Sequence, residues 1–258
     1  MAKWDDPEWL RIHLELEPYS VDKHCFNTDK EFAYRKGWEW TQCLYGLHRL
    51  GVITPTAKAL GVGAGREPLL FYLADRISEV VGTDLYGNQA WAGSIGREAD
   101  ALILQDVQRF CPREFAAHRL RLMNMDGTDL QFQSNTFDFV WSLSSIEHFG
   151  CHEAAAKSVR EMARVAKPGG VVVVATEFIP SKDTHPEYFN RSNFEEYVLH
   201  AARDLQPVEP MSYRAPSEVY IRDAIKVATD DVHRRRHHIV LDDGSIQWTS
   251  VIVFFRKV

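Results

Sequence analysis

The stretch AKALGVGAGREPLLFYLADRISEVVGTDLY, residues 57–86, decides the fold of this chain. An apolar run leads into a glycine-rich turn, a helical pattern follows, and a second apolar run ends at Asp84. This order predicts strand, tight turn, helix and strand, which is one βαβ unit. Gly61, Gly63 and Gly65 allow close approach of a ligand because no Cβ blocks the backbone. The stretch therefore predicts a nucleotide-type site, with Asp84 placed for a ribose.

The spacing of the glycines separates two kinds of cofactor. A dinucleotide site uses GxGxxG, and its last glycine or alanine would fall on Arg66 in this chain. The pattern here is GxGxG, which resembles motif I of the class I S-adenosylmethionine (SAM) methyltransferases. Glycine turns also arise without any ligand, so the alternative at this point is a plain turn between a strand and a helix.

Two later segments extend the resemblance in order and spacing. The run 119–124 predicts a third strand, which ends just before Asp126 and Gly127. The stretch NTFDFVWS, residues 135–142, contains a turn, an acid and an apolar strand, and it resembles motif IV of the family. In that family the strand of motif IV leads directly to the active site.

The next segment is a helical pattern at 153–165, stopped by KPGG at 167–170 and followed by an apolar strand at 171–175. This combination is a further hallmark of the family. The resemblance implies an α/β, Rossmann-like fold of seven strands in the order 3-2-1-4-5-7-6. We place its closing antiparallel pair at 238–241 and 246–255.

Length and composition limit the domain organisation and the partners. At 258 residues the chain accommodates a helical N-terminal extension or lid at 1–52 and a methyltransferase domain at 53–258. Proline-punctuated residues at about 179–235 form an insertion in the substrate region. The net charge of −6 argues against a nucleic-acid partner. Without a secretory signal pattern or an apolar run of about 18 residues, we expect a cytoplasmic protein with no membrane span.

The resemblance also implies which residues bind SAM. Many members carry an acid at the position of Ala59, so we assign the amino-acid end of SAM to Glu67 instead. Arg35 and Lys36, on a helix that covers the cofactor in the family, are both candidates to face its carboxylate. Trp91 is an option for stacking on the adenine. The full predicted cofactor set is Gly61, Gly63, Gly65, Glu67, Asp84, Leu85, Asp126, Gly127, Ser142 and Arg35.

The chemistry is predicted in WSLSSIEHFGCHE, residues 141–153, directly after the fourth strand. His148, with Glu147 beside it, is the candidate base, because an imidazole can remove a proton from a hydroxyl near neutral pH. A divalent ion, Mg²⁺ or another, is the alternative, with Glu147, His148 and His238 as ligands. Some relatives have ExxEH here, but Ser144 replaces the first Glu. The pair can also simply begin a helix.

These patterns predict a SAM-dependent O-methyltransferase that acts on a hydroxyl of a saccharide or glycoside. The motifs resemble bacterial methyltransferases of polysaccharide biosynthesis, including mycobacterial enzymes that methylate mannosides. The alternatives are a methyltransferase of another small molecule, at oxygen or nitrogen, and a SAM-binding interaction protein without catalysis. The expected partner is a small-molecule or oligosaccharide acceptor, and the chain is compatible with a homodimer.

Overall fold

The computed structural model describes residues 2–87, 99–213, 218–227 and 237–258. Within these residues, strands of one mixed sheet lie in the order β3-β2-β1-β4-β5-β9-β8-β7, and β6 pairs with β9. The strands are β1 (Lys58–Val62), β2 (Glu79–Asp84), β3 (Leu120–Asn124), β4 (Phe137–Leu143), β5 (Ala166–Phe178), β6 (Leu205–Pro207), β7 (Ile225–Lys226), β8 (Leu241–Asp242) and β9 (Gln247–Lys257).

Helices cover both faces of this sheet. None of the helices in the described ranges has the length and apolar character that a bilayer crossing requires. The α-helices are α1 (Pro7–Leu16), α2 (Arg35–Arg49), α3 (Pro68–Ala74), α4 (His152–Val165), α5 (Arg191–Phe194), which continues into the π-helical turn Glu195–Leu199, and α6 (Glu218–Arg222).

The first five strands are parallel and confirm the predicted Rossmann-like α/β class and the order 3-2-1-4-5. Alternate side chains of these strands enter two different cores, as strand geometry requires. Trp141 lies in a core with α1, α2 and α3, whereas Val140 lies in a second core with α4. Because both faces are covered, the central strands are apolar along their whole length.

The predicted closing antiparallel pair is present, because β9 lies between β5 and β8 and gives the predicted order 5-7-6, but β8 begins only at Leu241 rather than at residue 238. β9 does lie antiparallel to β5, as expected for the last strand. Its outer edge, however, pairs with two short pieces, β8 at one end and β6 at the other. The reason is that the backbone of His238 is already engaged by the N-terminal extension, donating to the Ala33 carbonyl and accepting from the Arg35 N–H.

The N-terminal extension forms helices that belong to the main core. Asp6 caps α1 by accepting from the N–H groups of Glu8 and Trp9, and Pro7 occupies the first turn. Residues of α1 and α2 share one apolar cluster with α3 and the sheet. The division of the chain at residue 52 stays a prediction.

We expect the fold to lose stability as the pH falls, because one buried histidine, His13, gains a proton when the chain unfolds. Its ring is fully buried, stacks on Trp9 and lies 2.7 Å from the Thr41 hydroxyl. Burial lowers the pKa of His13 from 6.5 to about 4. Stability is therefore complete above pH 6.5 and is lost as the pH falls towards 4, because the unfolded chain binds the proton first. The loss attributable to His13 is on the order of 3 kcal/mol.

Urea unfolding of the wild type and of His13→Gln at several pH values between 4.5 and 7.5 measures this contribution, the range being chosen around the two pKa values. The variant should be less stable at neutral pH and should lose less stability on acidification. The exposed His118 provides the control substitution His118→Gln. Equal acid slopes for wild type and His13→Gln would remove His13 as the cause.

Candidate functional site

A cavity of about 410 Å³ opens at the carboxyl ends of the central parallel strands. This is the edge where open α/β sheets bind ligands. Its wall combines the glycine turn, the ends of β2, β3 and β4, and part of the N-terminal extension. The lining residues are Asp22, Lys36, Trp40, Gly63, Ala64, Gly65, Arg66, Glu67, Asp84, Leu85, Ala99, Met125, Asp126, Gly127, Thr128, Leu143, Ser144, Ser145, His148, Phe149, Gly150 and Ala154.

The glycine turn lines the cavity with bare backbone. Gly63 has a φ of +63°, and a Cβ at this residue would lie 2.5 Å from Ser145 Cβ. The Ser145 hydroxyl donates to the Gly63 carbonyl at 2.7 Å and joins the turn to the loop after β4. Gly61, by contrast, does not line the cavity. A Cβ there would lie 2.7 Å from the Trp141 ring, so this glycine serves packing.

Asp84 is fixed by two backbone groups at the centre of the cavity. Its carboxylate accepts from the N–H of Gly65 at 2.8 Å and from the N–H of Leu85 at 2.7 Å. A carboxylate has about four acceptor positions, so these two bonds orient the group without exhausting it. The predicted residues Asp84 and Leu85 therefore lie together, and Asp84 has the capacity to accept from two ribose hydroxyls.

Asp126 and Gly127 lie at the β3 end of the cavity. Asp126 accepts from the Thr128 N–H at 2.7 Å, which orients its carboxylate in a tight turn. A Cβ on Gly127 would lie 2.6 Å from the Phe149 ring, so only glycine allows Phe149 to close this part of the wall. The two predicted residues are thus brought to the same cavity as Asp84.

Glu67 lies at the opposite end, where the glycine turn meets α2. Its side chain is only 7% exposed, and its carboxylate accepts from the Trp141 Nε1–H at 2.8 Å. The position of the missing acid, Ala59, is buried in the core below the turn. Glu67 lines the cavity as predicted, but Trp141 already constrains one of its oxygens.

Arg35, predicted to bind the carboxylate of SAM, does not line this cavity. Arg35 begins α2, but its guanidinium points into a buried ionic cluster, 2.7 Å from Glu177 and 3.2 Å from Glu39. Burial by itself lowers the pKa of Arg35, but these two carboxylates raise it above its ordinary value. Consecutive helical residues point about 100° apart, so the next residue, Lys36, faces the cavity instead. Its ammonium lies 3.1 Å from the Leu143 carbonyl.

His148 lies at the rim of the cavity and is paired with a residue that sequence reasoning missed. Its Nδ1 lies 3.0 Å from a carboxylate oxygen of Glu187. Glu187 belongs to the loop after β5, 39 residues along the chain, and nothing in its sequence surroundings indicates this contact. If Glu187 accepts from Nδ1–H, the lone pair of the ring is on Nε2, which is the tautomer a base requires.

Glu147 and Ser142 do not line the cavity, contrary to the predicted catalytic and cofactor roles. Glu147 is 1% exposed and its carboxylate accepts from the Thr176 hydroxyl and the Glu177 N–H. Burial raises the pKa of Glu147 to about 7, although the charge of His148 opposes the shift. Ser142 is fully buried within β4. Glu147 therefore anchors the loop that carries His148 rather than facing a substrate.

The predicted metal site of Glu147, His148 and His238 is not assembled. Among the described residues, which include all three, no group of three His, Cys, Asp or Glu side chains converges on one point. His238 instead stacks on Tyr34, with ring centroids 4.1 Å apart, because its backbone pairs with the N-terminal extension. Burial lowers the pKa of His238 to about 3. Trp91, predicted as an option for adenine stacking, lies outside the described residues.

Comparison with known proteins gives the family of the central segment. Residues 60–174 match the model of a methyltransferase domain, which is under half of the chain. This segment runs from the third residue of β1 to the apolar part of β5. It therefore includes the glycine turn, Asp84, Asp126 and His148, and it leaves out the N-terminal extension and everything after β5.

Individual relatives agree with this assignment. The chloroplastic tocopherol O-methyltransferase of Arabidopsis thaliana is 33% identical over 102 residues, which are 37% of this chain and 28% of that protein. A demethylmenaquinone methyltransferase of Bacillus cereus is 27% identical over 169 residues, 63% of this chain and 60% of that protein. The chain thus spans less than two thirds of the length of these curated relatives.

One solved structure shows the likeness of the whole fold. The geranyl diphosphate C-methyltransferase of Streptomyces coelicolor aligns with a TM-score of 0.53 at 16% sequence identity, over 100% of this chain and 84% of that one. At this level of identity the likeness concerns the fold. The fold of this chain is that of the class I methyltransferases.

Proposed function

We propose that this chain is a SAM-dependent methyltransferase whose acceptor is a hydroxyl group of a small molecule. The observation that carries the proposal is one cavity that joins the glycine turn and Asp84 to the His148–Glu187 pair at its rim. The match of residues 60–174 to a methyltransferase domain supports the same assignment. The relatives named above support a small-molecule acceptor rather than a macromolecule.

The residues of the cavity fit SAM. A volume of about 410 Å³ is in the range of small-molecule sites. Bare backbone at Gly63 and Gly65 gives the close approach that the cofactor needs, and Asp84 offers oriented acceptor positions for the ribose hydroxyls. Asp126 supplies an acceptor for the adenine amino group at the β3 end. When bound, SAM supplies an electrophilic methyl group on a sulfonium.

The protein contributes position and a base. Methyl transfer is an in-line displacement that depends on alignment of the two reactants, which the enclosed cavity wall provides. His148 Nε2 is placed to accept the proton of the acceptor hydroxyl that would receive the methyl group of SAM. Glu187 holds the ring by Nδ1 and stabilises the imidazolium. The Glu187 side chain is 43% exposed, so the imidazolium can return to the neutral form by passing its Nδ1 proton through this carboxylate to solvent.

Two acceptor classes follow from different observations. A saccharide or glycoside hydroxyl follows from the resemblance of the motifs to methyltransferases of polysaccharide biosynthesis. A hydroxyl on the ring of a small aromatic molecule is favoured by the name of one relative, a tocopherol O-methyltransferase. The name of the second, a demethylmenaquinone methyltransferase, supports a small ring molecule but does not say which atom receives the methyl group. Either class presents an O–H group to His148, so the base assignment is common to both.

An acceptor screen with methyl-labelled SAM tests the function. The panel contains monosaccharides, oligosaccharides, simple phenols and reduced quinones, and the readout is label in the acceptor. The proposal expects transfer to one of these classes and formation of S-adenosylhomocysteine in equal amount. Binding of SAM without transfer to any acceptor would favour the non-catalytic alternative, a SAM-binding interaction protein.

Replacing Asp84 by alanine should weaken SAM binding by about ten- to a hundredfold. The loss corresponds to charge-assisted hydrogen bonds to the ribose, which contribute about 1.5–3 kcal/mol each. Calorimetric titration of the folded variant measures the affinity. Asp106→Ala is the control, because Asp106 is exposed and lies outside the cavity wall. Unchanged affinity in Asp84→Ala would remove Asp84 from the ribose role.

A further inference from the structure

The two ends of the cavity differ in where their side chains come from. Asp84 and Asp126, at the ends of β2 and β3, mark the nucleoside end. The sheet order β3-β2-β1-β4 then places the rest of a bound SAM towards β1 and β4. The wall of the same cavity is completed by the N-terminal extension, which contributes Asp22, Lys36 and Trp40. Lys36 lies at the end of β4, next to the Leu143 carbonyl, and Asp22 lies beside Arg66 of the glycine turn. The three residues of the extension lie outside the segment that matches the methyltransferase domain.

The part of the wall that the N-terminal extension contributes presents charges of both signs. Asp22 forms an ion pair with Arg66 of the glycine turn, with N–O distances of 3.3 and 3.2 Å, and the two side chains are 29% and 21% exposed. Lys36 has a side chain that is 17% exposed and lies 3.3 Å from Glu39. The amino-acid end of SAM is a zwitterion with one ammonium and one carboxylate. Charges enter a partly buried site only where opposite charges receive them.

We propose that Asp22 binds the ammonium and Lys36 the carboxylate of the amino-acid end of SAM. The N-terminal extension is then a part of the cofactor site as well as its cover. This inference rests on the proposed function, since it concerns how the same cofactor is recognised. It also identifies a replacement for the acid that many members carry where this chain has the buried Ala59.

Asp22 suits the ammonium better than Glu67, the residue predicted from sequence. Glu67 is 7% exposed and gives one carboxylate oxygen to the Trp141 indole N–H. Asp22 is more accessible than Glu67, and it forms an ion pair with Arg66 at the cavity wall. Both side chains are partly exposed, so Asp22 can accept from a ligand ammonium while it keeps its contact with Arg66.

Lys36 suits the carboxylate better than Arg35. Arg35 is 7% exposed and is held by Glu177 and Glu39, away from the cavity wall. Lys36 lies on the cavity side of the same helix, next to the carbonyl at the end of β4. The ammonium of Lys36 therefore has both the sign and the position to receive a carboxylate.

Equilibrium binding of four nucleosides to the full chain tests the proposal. S-adenosylhomocysteine and 5′-methylthioadenosine share the adenosine and the neutral sulfur, but only the first has an amino-acid end. SAM and decarboxylated SAM differ only in the carboxylate. The wild type should prefer S-adenosylhomocysteine to 5′-methylthioadenosine and SAM to decarboxylated SAM, each by about tenfold or more.

The variants separate the two charges. Asp22→Asn should weaken the binding of S-adenosylhomocysteine by about tenfold and leave the affinity for 5′-methylthioadenosine unchanged. Lys36→Met should abolish the preference for SAM over decarboxylated SAM. Asp5→Asn is the matched control on the extension, because Asp5 has a 67% exposed side chain. Asp84→Ala, by contrast, should weaken the binding of all four nucleosides by the same factor.

The outcomes keep this inference apart from the proposed function. A wild type that binds all four nucleosides equally overturns the inference and leaves the nucleoside site standing. If Asp22→Asn loses the same affinity for S-adenosylhomocysteine and for 5′-methylthioadenosine, Asp22 does not bind the ammonium of the amino-acid end. A wild type that binds none of the four contradicts the proposed function itself. The wild-type comparison does not depend on any variant, so it decides even if Asp22→Asn is unstable.

Discussion

Replacing Arg35 by methionine is expected to lower the free energy of unfolding by about 3–5 kcal/mol. Arg35 is 7% exposed and pairs with two buried carboxylates, Glu177 and Glu39, while also donating to the Ser250 hydroxyl at 3.1 Å. Removing the guanidinium leaves both acids buried with one cation fewer, and burying an unpaired charge is costly. These contacts join α2 to the ends of β5 and β9, so the variant weakens the packing of the N-terminal extension against the sheet.

Urea unfolding at neutral pH gives the size of the effect. Arg49→Met is the matched control on the same helix, because the pair of Arg49 with Glu8 has side chains that are 63% and 45% exposed. We expect the control to change stability by less than about 1 kcal/mol. Burial raises the pKa of Glu39, but Lys36 and Arg35 lower it overall, so the deficit of Arg35→Met should shrink at acid pH, where Glu39 of the variant takes up a proton. A deficit no larger than that of Arg49→Met would contradict the buried-cluster interpretation.

Replacing His148 by alanine is expected to lower turnover by about a hundred- to ten-thousandfold, the usual contribution of a general base. The reason is that His148 lies at the cavity rim with Nδ1 held by Glu187, which presents Nε2 to the acceptor. The SAM affinity should change far less than turnover, because the ribose, adenine and amino-acid ends are assigned to other residues. Steady-state kinetics with the acceptor from the screen, together with calorimetric titration of SAM, measure both quantities.

Two further variants sharpen the test of His148. Glu187→Gln keeps an acceptor for Nδ1–H but removes the charge, so it should lower turnover by less than His148→Ala does. His200→Ala, at an exposed position away from the cavity, is the control and should keep full activity. Full turnover in His148→Ala would remove this residue as the base and leave alignment as the main source of catalysis.

The parts of the fold that the sequence predicts well are those set by local pattern. The run 57–86 contains its own strand, turn, helix and strand, and each glycine or apolar residue acts within a few positions of itself. Asp84 could be predicted because its place at the end of β2 follows from strand length alone. The same holds for Asp126 and Gly127 after β3. These residues meet because parallel strands end at one edge of the sheet.

The parts that the sequence does not predict depend on contacts between distant segments. Periodicity predicts that 35–49 is a helix but not how the helix is rotated, so Arg35 and Lys36 could not be told apart. Glu187 reaches His148 from the loop after β5, and Asp22 reaches Arg66 across 44 residues. The strand predicted at 238–241 begins only at Leu241 for a related reason, since His238 finds backbone partners in the N-terminal extension.

Hydrogen–deuterium exchange with and without SAM tests the central claim, that this cavity is the cofactor site, most directly. We expect SAM to slow exchange in peptides that cover the glycine turn at 61–67, the β2 end at 84–87 and the β3 end at 125–128. We expect the same for residues 20–24 of the N-terminal extension. These segments contribute the cavity wall, and their amides become less accessible when the cofactor is enclosed. The absence of any slowing, or slowing confined to other segments, would contradict the account.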